Sequence, residues 1–435
     1  MVKFGIMKNF FKSCVVAVLT YEAKLVLRRH KPFIIAITGS VGKTSTKDAI
    51  FGVLKNHRTV RKSEKSFNSE IGVPLSVLGL PNAWANPILW LKNFFDGAIL
   101  AFFSRSYPEV LVLECGVDRP GDMATLARWL KPDIVVMTRL PEVPVHVEFF
   151  GTPEAVINEK LELLAALKPD GVFIYNHDDI KLQEVAKGVR QSSVGFSRYL
   201  PSHFTASQDT VIYHDDQPVG SSFTITHLHE SATIKIMGSI GLQNAYTYSA
   251  AAAVAEQFAI PLTAVSDAFL DYQSPPGRMR MIRGIKGSLI IDDSYNSSPI
   301  AVEAALQSLS ELRGAKRKIA VLGDMLELGQ YSSREHERVG EMVAPIADVL
   351  FTIGVRSRKT AETALEHGMK ESKIFQYEDS ARAGRELQAY IEPGDIILVK
   401  GSQGVRAERI VEEIMAAPER ASEFLVRQDT TWRAK

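Results

Sequence analysis

Cysteine is almost missing from this chain: its 435 residues include two, Cys14 and Cys115, far apart in sequence. That implies neither a disulfide framework nor a zinc site, and it fits a reducing cytoplasm. Charge of one sign is missing too. Lys and Arg number 51 against 50 Asp and Glu, a net charge of +1, and no basic excess lies outside the N-terminus, so a nucleic-acid partner is not expected. The longest apolar run near the start, Cys14–Leu19, is far short of the roughly 20 residues that span a bilayer, and no small-residue cleavage site follows it. Internal repeats and low-complexity tracts are absent. What remains is an ordinary soluble composition, 46% hydrophobic and 23% charged, long enough for two or three domains.

Residues 38–46 read Thr-Gly-Ser-Val-Gly-Lys-Thr-Ser-Thr, directly after the apolar run Phe33–Ile37 and before a helical stretch. A buried strand that breaks into glycines and enters a helix is a phosphate cradle. Glycines let backbone N–H groups approach phosphate oxygens, and the helix N-terminus adds partial positive charge. Lys43 can reach the terminal phosphates and the Thr44 hydroxyl can sit on Mg²⁺. The general P-loop would want glycine at position 37, where this chain has Ile37, so the shorter spacing points to one kind of ATPase. Gly39, Ser40, Gly42, Lys43, Thr44 and Ser45 are the expected nucleotide contacts, and ATP or GTP the expected ligand.

From residue 33 to about 195 apolar strands (33–38, 109–114, 133–138, 171–176, 191–195) alternate with helices (43–56, 121–130, 153–167, 178–188), which predicts a mostly parallel sheet covered on both faces. Residues 203–237 alternate apolar and polar and predict antiparallel hairpins, followed by an alanine-rich helix at 242–257. Pro275-Pro276-Gly277 is the strongest linker signal. Beyond it the pattern restarts without a phosphate loop, with strands near 288–293, 318–323, 349–353 and 395–400 and helices near 299–312, 333–346, 379–391 and 405–417. The fold class is therefore α/β: a P-loop central ATPase domain (32–275), mostly parallel with an antiparallel portion, then a Rossmann-like C-terminal α/β domain (276–435).

Residues 1–31 carry seven Lys/Arg against one Glu and place Phe11, Val15, Val18, Leu19, Ala23 and Val26 on one helical face. A basic amphipathic helix suits a membrane surface or a partner; packing on its own domain is the alternative. Residues 81–106 form an aromatic insertion holding two of the four tryptophans, Trp84 and Trp90. It is too polar in the middle to cross a membrane, and it suits a hydrophobic subdomain or an interfacial helix.

Glu114 ends the core strand Val110-Leu-Val-Leu-Glu114, where a sheet's C-terminal edge can face the phosphates; a merely solvated carboxylate is the alternative. His146 and Lys160 follow, unremarkable singly. Together, Gly39-Ser-Val-Gly-Lys-Thr44, Ser66-Phe-Asn-Ser-Glu-Ile-Gly-Val-Pro-Leu75, Leu113-Glu-Cys-Gly116 and His146-x13-Lys160 resemble the Mur ligases. The resemblance continues through Gly241-Leu-Gln-Asn244, Pro276-Gly-Arg278, Ile291-Asp-Asp-Ser-Tyr-Asn296, Val321-Leu-Gly-Asp-Met-Leu-Glu-Leu-Gly329 and Lys400-Gly-Ser402, covering residue 32 to about 417. It is closest to the MurF type, which joins D-alanyl-D-alanine to UDP-N-acetylmuramoyl-tripeptide.

The resemblance implies an ATP-dependent amide ligase working through an acyl phosphate, with two Mg²⁺ ions. It implies the first Mg²⁺ on Thr44 and Glu114, and the second on His146 and a Lys160 carbamylated by CO₂. Asn68 would lie near the γ-phosphate, Asn244 at the adenine, and Arg278 and Asp293 at the nucleotide from the linker and C-terminal unit. Substrates would be a muramoyl-peptide acceptor and D-Ala-D-Ala or an amino acid, in a monomer of the cytoplasm with peripheral membrane contact through the N-terminal helix and aromatic insertion. Three departures stand out. Gln243 and Ser298 replace a usual His and Asn, the loop Thr138–Val145 is longer than usual, and only a short segment precedes the P-loop strand where the MurF type carries a UDP-binding domain. A ligase of the same mechanism on another carboxylate (a poly-amino-acid, folate-like or lipid-linked acceptor) and a non-catalytic nucleotide-binding partner are the alternatives.

Overall fold

A computed structural model describes residues 2–64, 67–84, 86–241, 243–270, 272–429 and 432, with backbone alone for residues 2–10. The first unit runs α1 (Val2–His30), β1 (Phe33–Thr38), α2 (Lys43–Leu54), β2 (Val60–Lys62), α3 (Gly72–Leu78), α4 (Pro87–Phe102), β3 (Val110–Glu114), α5 (Asp122–Leu130) and β4 (Ile134–Met137). It continues through α6 (Val147–Phe150), α7 (Pro153–Ala165), β5 (Val172–Asn176), α8 (Ile180–Gly188), β6 (Ser192–Ser197), β7 (Phe204–His214), β8 (Gln217–His227), β9 (Glu230–Met237), α9 (Gln243–Glu256) and α10 (Leu262–Ala268). Its nine strands lie in the order β2-β3-β1-β4-β5-β6-β7-β8-β9. Pairing is parallel from β2 to β7 and antiparallel across β7, β8 and β9.

The second unit holds β10 (Arg280–Arg283), β11 (Leu289–Asp293), α11 (Pro299–Glu311), β12 (Arg317–Gly323), α12 (Ser332–Val343), β13 (Val349–Ile353) and α13 (Arg358–Glu366). Then come β14 (Ile374–Tyr377), α14 (Ser380–Tyr390), β15 (Asp395–Lys400), α15 (Glu408–Ile414) and α16 (Ala421–Phe424). The sheet order is β10-β11-β15-β12-β13-β14, parallel except for β10. Both units are thus α/β, as the alternating pattern predicts. Pro275-Pro276-Gly277 lies between the two sheets, and the linker is stitched down. Met281 N donates to Gly238 O at 2.9 Å, and Ser239 pairs with Arg280 in an antiparallel bridge.

Local chemistry explains the elements. Strands β1, β3 and β4 are runs of Ile, Val and Leu buried on both faces, as a covered parallel sheet requires. Helix α7 starts on Thr152, whose side chain accepts from Ala155 N, with Pro153 in the first turn where its missing N–H costs nothing. Helix α9 is buried along nearly its whole length, because a run of alanines lets it press between α2 and strands β5–β7.

The N-terminal helix packs on its own unit. Val15, Leu19, Ala23 and Val26 are buried in the core, while Phe11 and Val18, expected on the same face, remain exposed. The aromatic insertion folds as α4, capped by Asn86, and packs on α1 through Trp90, Gly97 and Ala101. Eight elements go beyond the sequence reading: β2, β14, the antiparallel edge strand β10, and the helices α3, α6, α10, α13 and α16.

Candidate active site

The loop between β1 and α2 needs both of its glycines. Gly39 has φ 133°, and a Cβ there would lie 2.1 Å from Thr138 Oγ1; Gly42 has φ 83°. The segment just after β4 braces the loop from beside it: Thr138 Oγ1 donates to Val41 O at 2.6 Å and Ser40 N donates to Arg139 O at 2.9 Å. Lys43, the first residue of α2, folds its ammonium back over the loop and donates to Gly39 O at 2.9 Å. Burial pulls its pKa below the ordinary lysine value, opposed by the charge of Glu114.

Next to the loop, β3 carries Glu114 level with Ile37 of β1. Each carboxylate oxygen has a partner: Thr44 Oγ1 donates to Oε2 and Asn68 Nδ2 to Oε1, both at 2.9 Å. Gly116 permits this, because a Cβ there would sit 2.9 Å from the Asn68 side chain. Glu114 is therefore buried and oriented rather than solvated.

His146 starts α6 in the left-handed region, φ 72°. Its ring lies between Glu327, 2.7 Å from Nδ1, and Asp118, 3.7 Å from Nε2. Glu327 comes from the second unit, and the ring's proximity holds its carboxyl below the usual carboxylate range. Lys160 is buried on α7, and no ion pair holds it among the described residues. Burial first, then the charge of Lys43, pull its pKa down to about 7, against the opposing pull of Asp118 and Glu159.

The second unit closes the other side. Arg278 donates to Thr44 Oγ1 at 3.4 Å and stacks over Tyr295, and Asp293 is held at 2.6 Å by the buried Lys400. Ser40, Gly42, Lys43, Thr44, Ser45, Asn68, Glu114, His146, Asn244, Arg278 and Asp293 all line one cleft of about 270 Å³. Asn244 also donates to Ser221 Oγ at 3.3 Å. A larger cleft of about 460 Å³, walled by Arg139, Asn176, Phe196, Gln243 and Tyr246, adjoins at Gly42. Sequence reasoning missed Asp118, Glu327 and Lys400 as individuals, although the last two sit inside the Gly-Asp-Met-Leu-Glu-Leu-Gly and Lys-Gly-Ser strings.

The chemistry of the donors fits Mg²⁺. A hydroxyl and a carboxylate, with phosphate oxygens and water completing the shell, suit a hard cation that binds few protein groups. No cluster of three or more His, Cys, Asp or Glu is placed to hold a metal among the described residues.

A phosphate cradle on one α/β unit, closed by charged groups from a second, defines a two-unit nucleotide-dependent enzyme. Comparison with known proteins carries this further. The Mur ligase middle domain matches residues 97–255 and the Mur ligase glutamate ligase domain matches residues 277–403. The UDP-N-acetylmuramoyl-tripeptide–D-alanyl-D-alanine ligase of Bacillus subtilis is 31% identical over 399 residues, 91% of this chain and 79% of that protein. The Escherichia coli enzyme of the same name is 27% identical over 88% of this chain and 76% of its own. The crystal structure of MurF ligase from Thermotoga maritima in complex with ADP superposes with a TM-score of 0.74 at 25% identity, covering 94% of this chain and 84% of that one. This chain belongs to the Mur ligase family and is an ATP-dependent amide ligase.

Proposed function

We propose that the enzyme joins D-alanyl-D-alanine to the terminal carboxylate of a muramoyl-peptide, in the synthesis of a cell-wall precursor. One observation carries the reading: the cleft gathers P-loop, Glu114, His146 and second-unit groups in one place, in a chain whose MurF-type relatives match it along about nine-tenths of its length. The acceptor carboxylate attacks the γ-phosphorus of ATP, giving an acyl phosphate and ADP. The dipeptide amine then attacks the acyl carbon, phosphate leaves with the bonding pair, and the amine proton is lost to base. Such phosphoryl transfer is mainly positioning and charge neutralisation.

In this reading Lys43 and the backbone of residues 39–45 neutralise the transferring phosphate, while Asn68 orients Glu114. Thr44 and Glu114 would hold one Mg²⁺, and His146 with a carbamylated Lys160 a second; the ions would supply charge neutralisation at the phosphates. A lysine with a pKa near 7 carries a substantial neutral fraction, the form that adds CO₂. Arg278 and Asp293 would contact the nucleotide, and the larger cleft beside Gln243 and Tyr246 offers flat walls for its base. The first unit to residue 275 would form the ATPase domain and the remainder the domain that receives the amine.

Phosphate release, measured across UDP-muramoyl peptides of different length with and without D-Ala-D-Ala, tests this. Release that requires both a tripeptide acceptor and the dipeptide is the expected result. Release with a different acid, or with a single amino acid, would move the chain to another carboxylate within the same family.

A further inference from the structure

Helix α4 carries apolar residues on both of its faces, with the Lys92–Asp96 ion pair beside the outward ones. Trp90, Gly97 and Ala101 turn inward, while Ile88, Leu91, Phe95, Ile99 and Phe102 form an outward ridge at helical spacing. Ile88 is 79% exposed and Phe95 67%, and Phe103 just past the helix is 76% exposed. A continuous apolar ridge of this length marks a surface that something covers.

At one end the ridge meets concentrated positive charge. Arg29 Nη1 donates to Ala101 O at 3.0 Å, tying the basic end of α1 to the last turn of α4. The same end of α1, on its α5 side, walls a cleft of about 470 Å³ with Lys24, Arg28, Lys31, Arg128, Lys131 and Lys168. Lys168 is paired with Asp133 at 2.6 Å, and the other five have no carboxylate within 4 Å among the described residues. Three of these lysines precede proline, in Lys31-Pro32, Lys131-Pro132 and Lys168-Pro169. Each stands just before one of the adjacent strands β1, β4 and β5. This is the N-terminal edge of the sheet, opposite the nucleotide cleft.

We propose that the α4 ridge and this cation cleft form one docking surface for an anionic lipid bilayer. Charge complementarity selects this occupant. Aromatic and aliphatic side chains on a helix lying in the interface bury apolar area, and a neighbouring cluster of four to eight Lys/Arg attracts phosphate headgroups. A second copy of the chain suits the surface poorly, because a two-fold interface brings the same cations together. No helix is long and apolar enough to cross a membrane among the described residues, so the contact is peripheral.

Flotation of the full chain with vesicles of phosphatidylcholine, alone or mixed with phosphatidylglycerol, tests the proposal. The chain partitions onto the mixed vesicles at least about tenfold more strongly than onto neutral ones, and salt weakens the binding. Arg28→Glu with Lys131→Glu abolishes the preference for anionic vesicles, and Phe95→Ser with Phe103→Ser abolishes binding to both kinds. Both variants keep the parent's affinity for ADP and its cooperative melt; if the second melts early, Ile88→Ser with Leu91→Ser takes its place. Absence of binding, equal binding to both vesicles, or wild-type partition in either variant overturns the proposal. So does a dimer dissolved by Phe95→Ser with no vesicle binding, or inorganic phosphate binding to the cleft without partition.

Discussion

The positive charge of Lys43 on α2 reaches the buried amine of Lys160 on α7, and after burial itself it is the largest influence lowering that amine's pKa. The two lysines have different expected tasks: one stays a cation beside phosphate, and the other must lose its proton. Lys160→Ala is expected to lower kcat by about 10²-fold or more, with partial recovery when acetate or formate is added. Activity of wild-type enzyme should fall below pH 7 in CO₂-depleted buffer, where Lys160 is protonated, and return with bicarbonate at higher pH. Full activity in Lys160→Ala would remove the residue from the site.

Lys43→Ala should lower kcat by about 10²–10³-fold or more with little change in melting temperature. Among the described residues the lysine's one hydrogen bond is to its own loop at Gly39, so it contributes little to the fold. Steady-state phosphate release and a thermal melt together check this.

Asn68→Ala removes a hydrogen bond to Glu114 without touching the Thr44 contact. The Mg²⁺ concentration giving half-maximal activity should rise about 10–100-fold, as expected for loss of a group that orients a metal ligand. Chelation of Mg²⁺ should abolish turnover in both proteins, and an unchanged Mg²⁺ requirement would show that Asn68 does not act through Glu114.

Lys400 and Asp293 form a buried pair at 2.6 Å. Replacing Lys400 with Ala strands the carboxylate, so the second unit should lose about 3–5 kcal/mol of stability. Denaturant titration followed by circular dichroism measures it.

Glu22 is buried between α1 and α4 against Gly97, and burial pushes its carboxyl up to about 7. Between the unfolded value near 4.5 and that value the folded protein holds a proton that the unfolded chain has released. Stability contributed by this group therefore falls as pH rises through the window. Glu22→Gln should flatten the dependence and raise the melting temperature at pH 8, by about 2–4 °C for each kcal/mol regained.

Much of this was legible in sequence. The strand–glycine–lysine–helix order predicts a loop at residues 39–45 with Glu114 at the end of a core strand, and the two lie side by side because parallel strands feed their C-terminal ends to one edge. Strands β2 (Val-Arg-Lys) and β14 (Ile-Phe-Gln-Tyr) were not legible, since short edge strands lack a clear period. Glu327 and Asp118 reach His146 only through tertiary approach, which no local pattern encodes. In α4 both faces carry apolar residues, so periodicity could not say which faces inward. The small residues Gly97 and Ala101 decide it by letting α1 come close.

The bridge between Ser239 and Arg280 has a mechanical consequence. Because the crossing between the two sheets is a hydrogen-bonded pivot and not a loose tether, any relative rotation of the units turns about a fixed point near residues 238–241 and 279–281. Arg278 stands two residues before Arg280 of the bridge and donates to Thr44 Oγ1 at 3.4 Å, so a short stretch of backbone joins the crossing to the phosphate loop. A substitution that loosens the crossing should therefore be felt at Thr44.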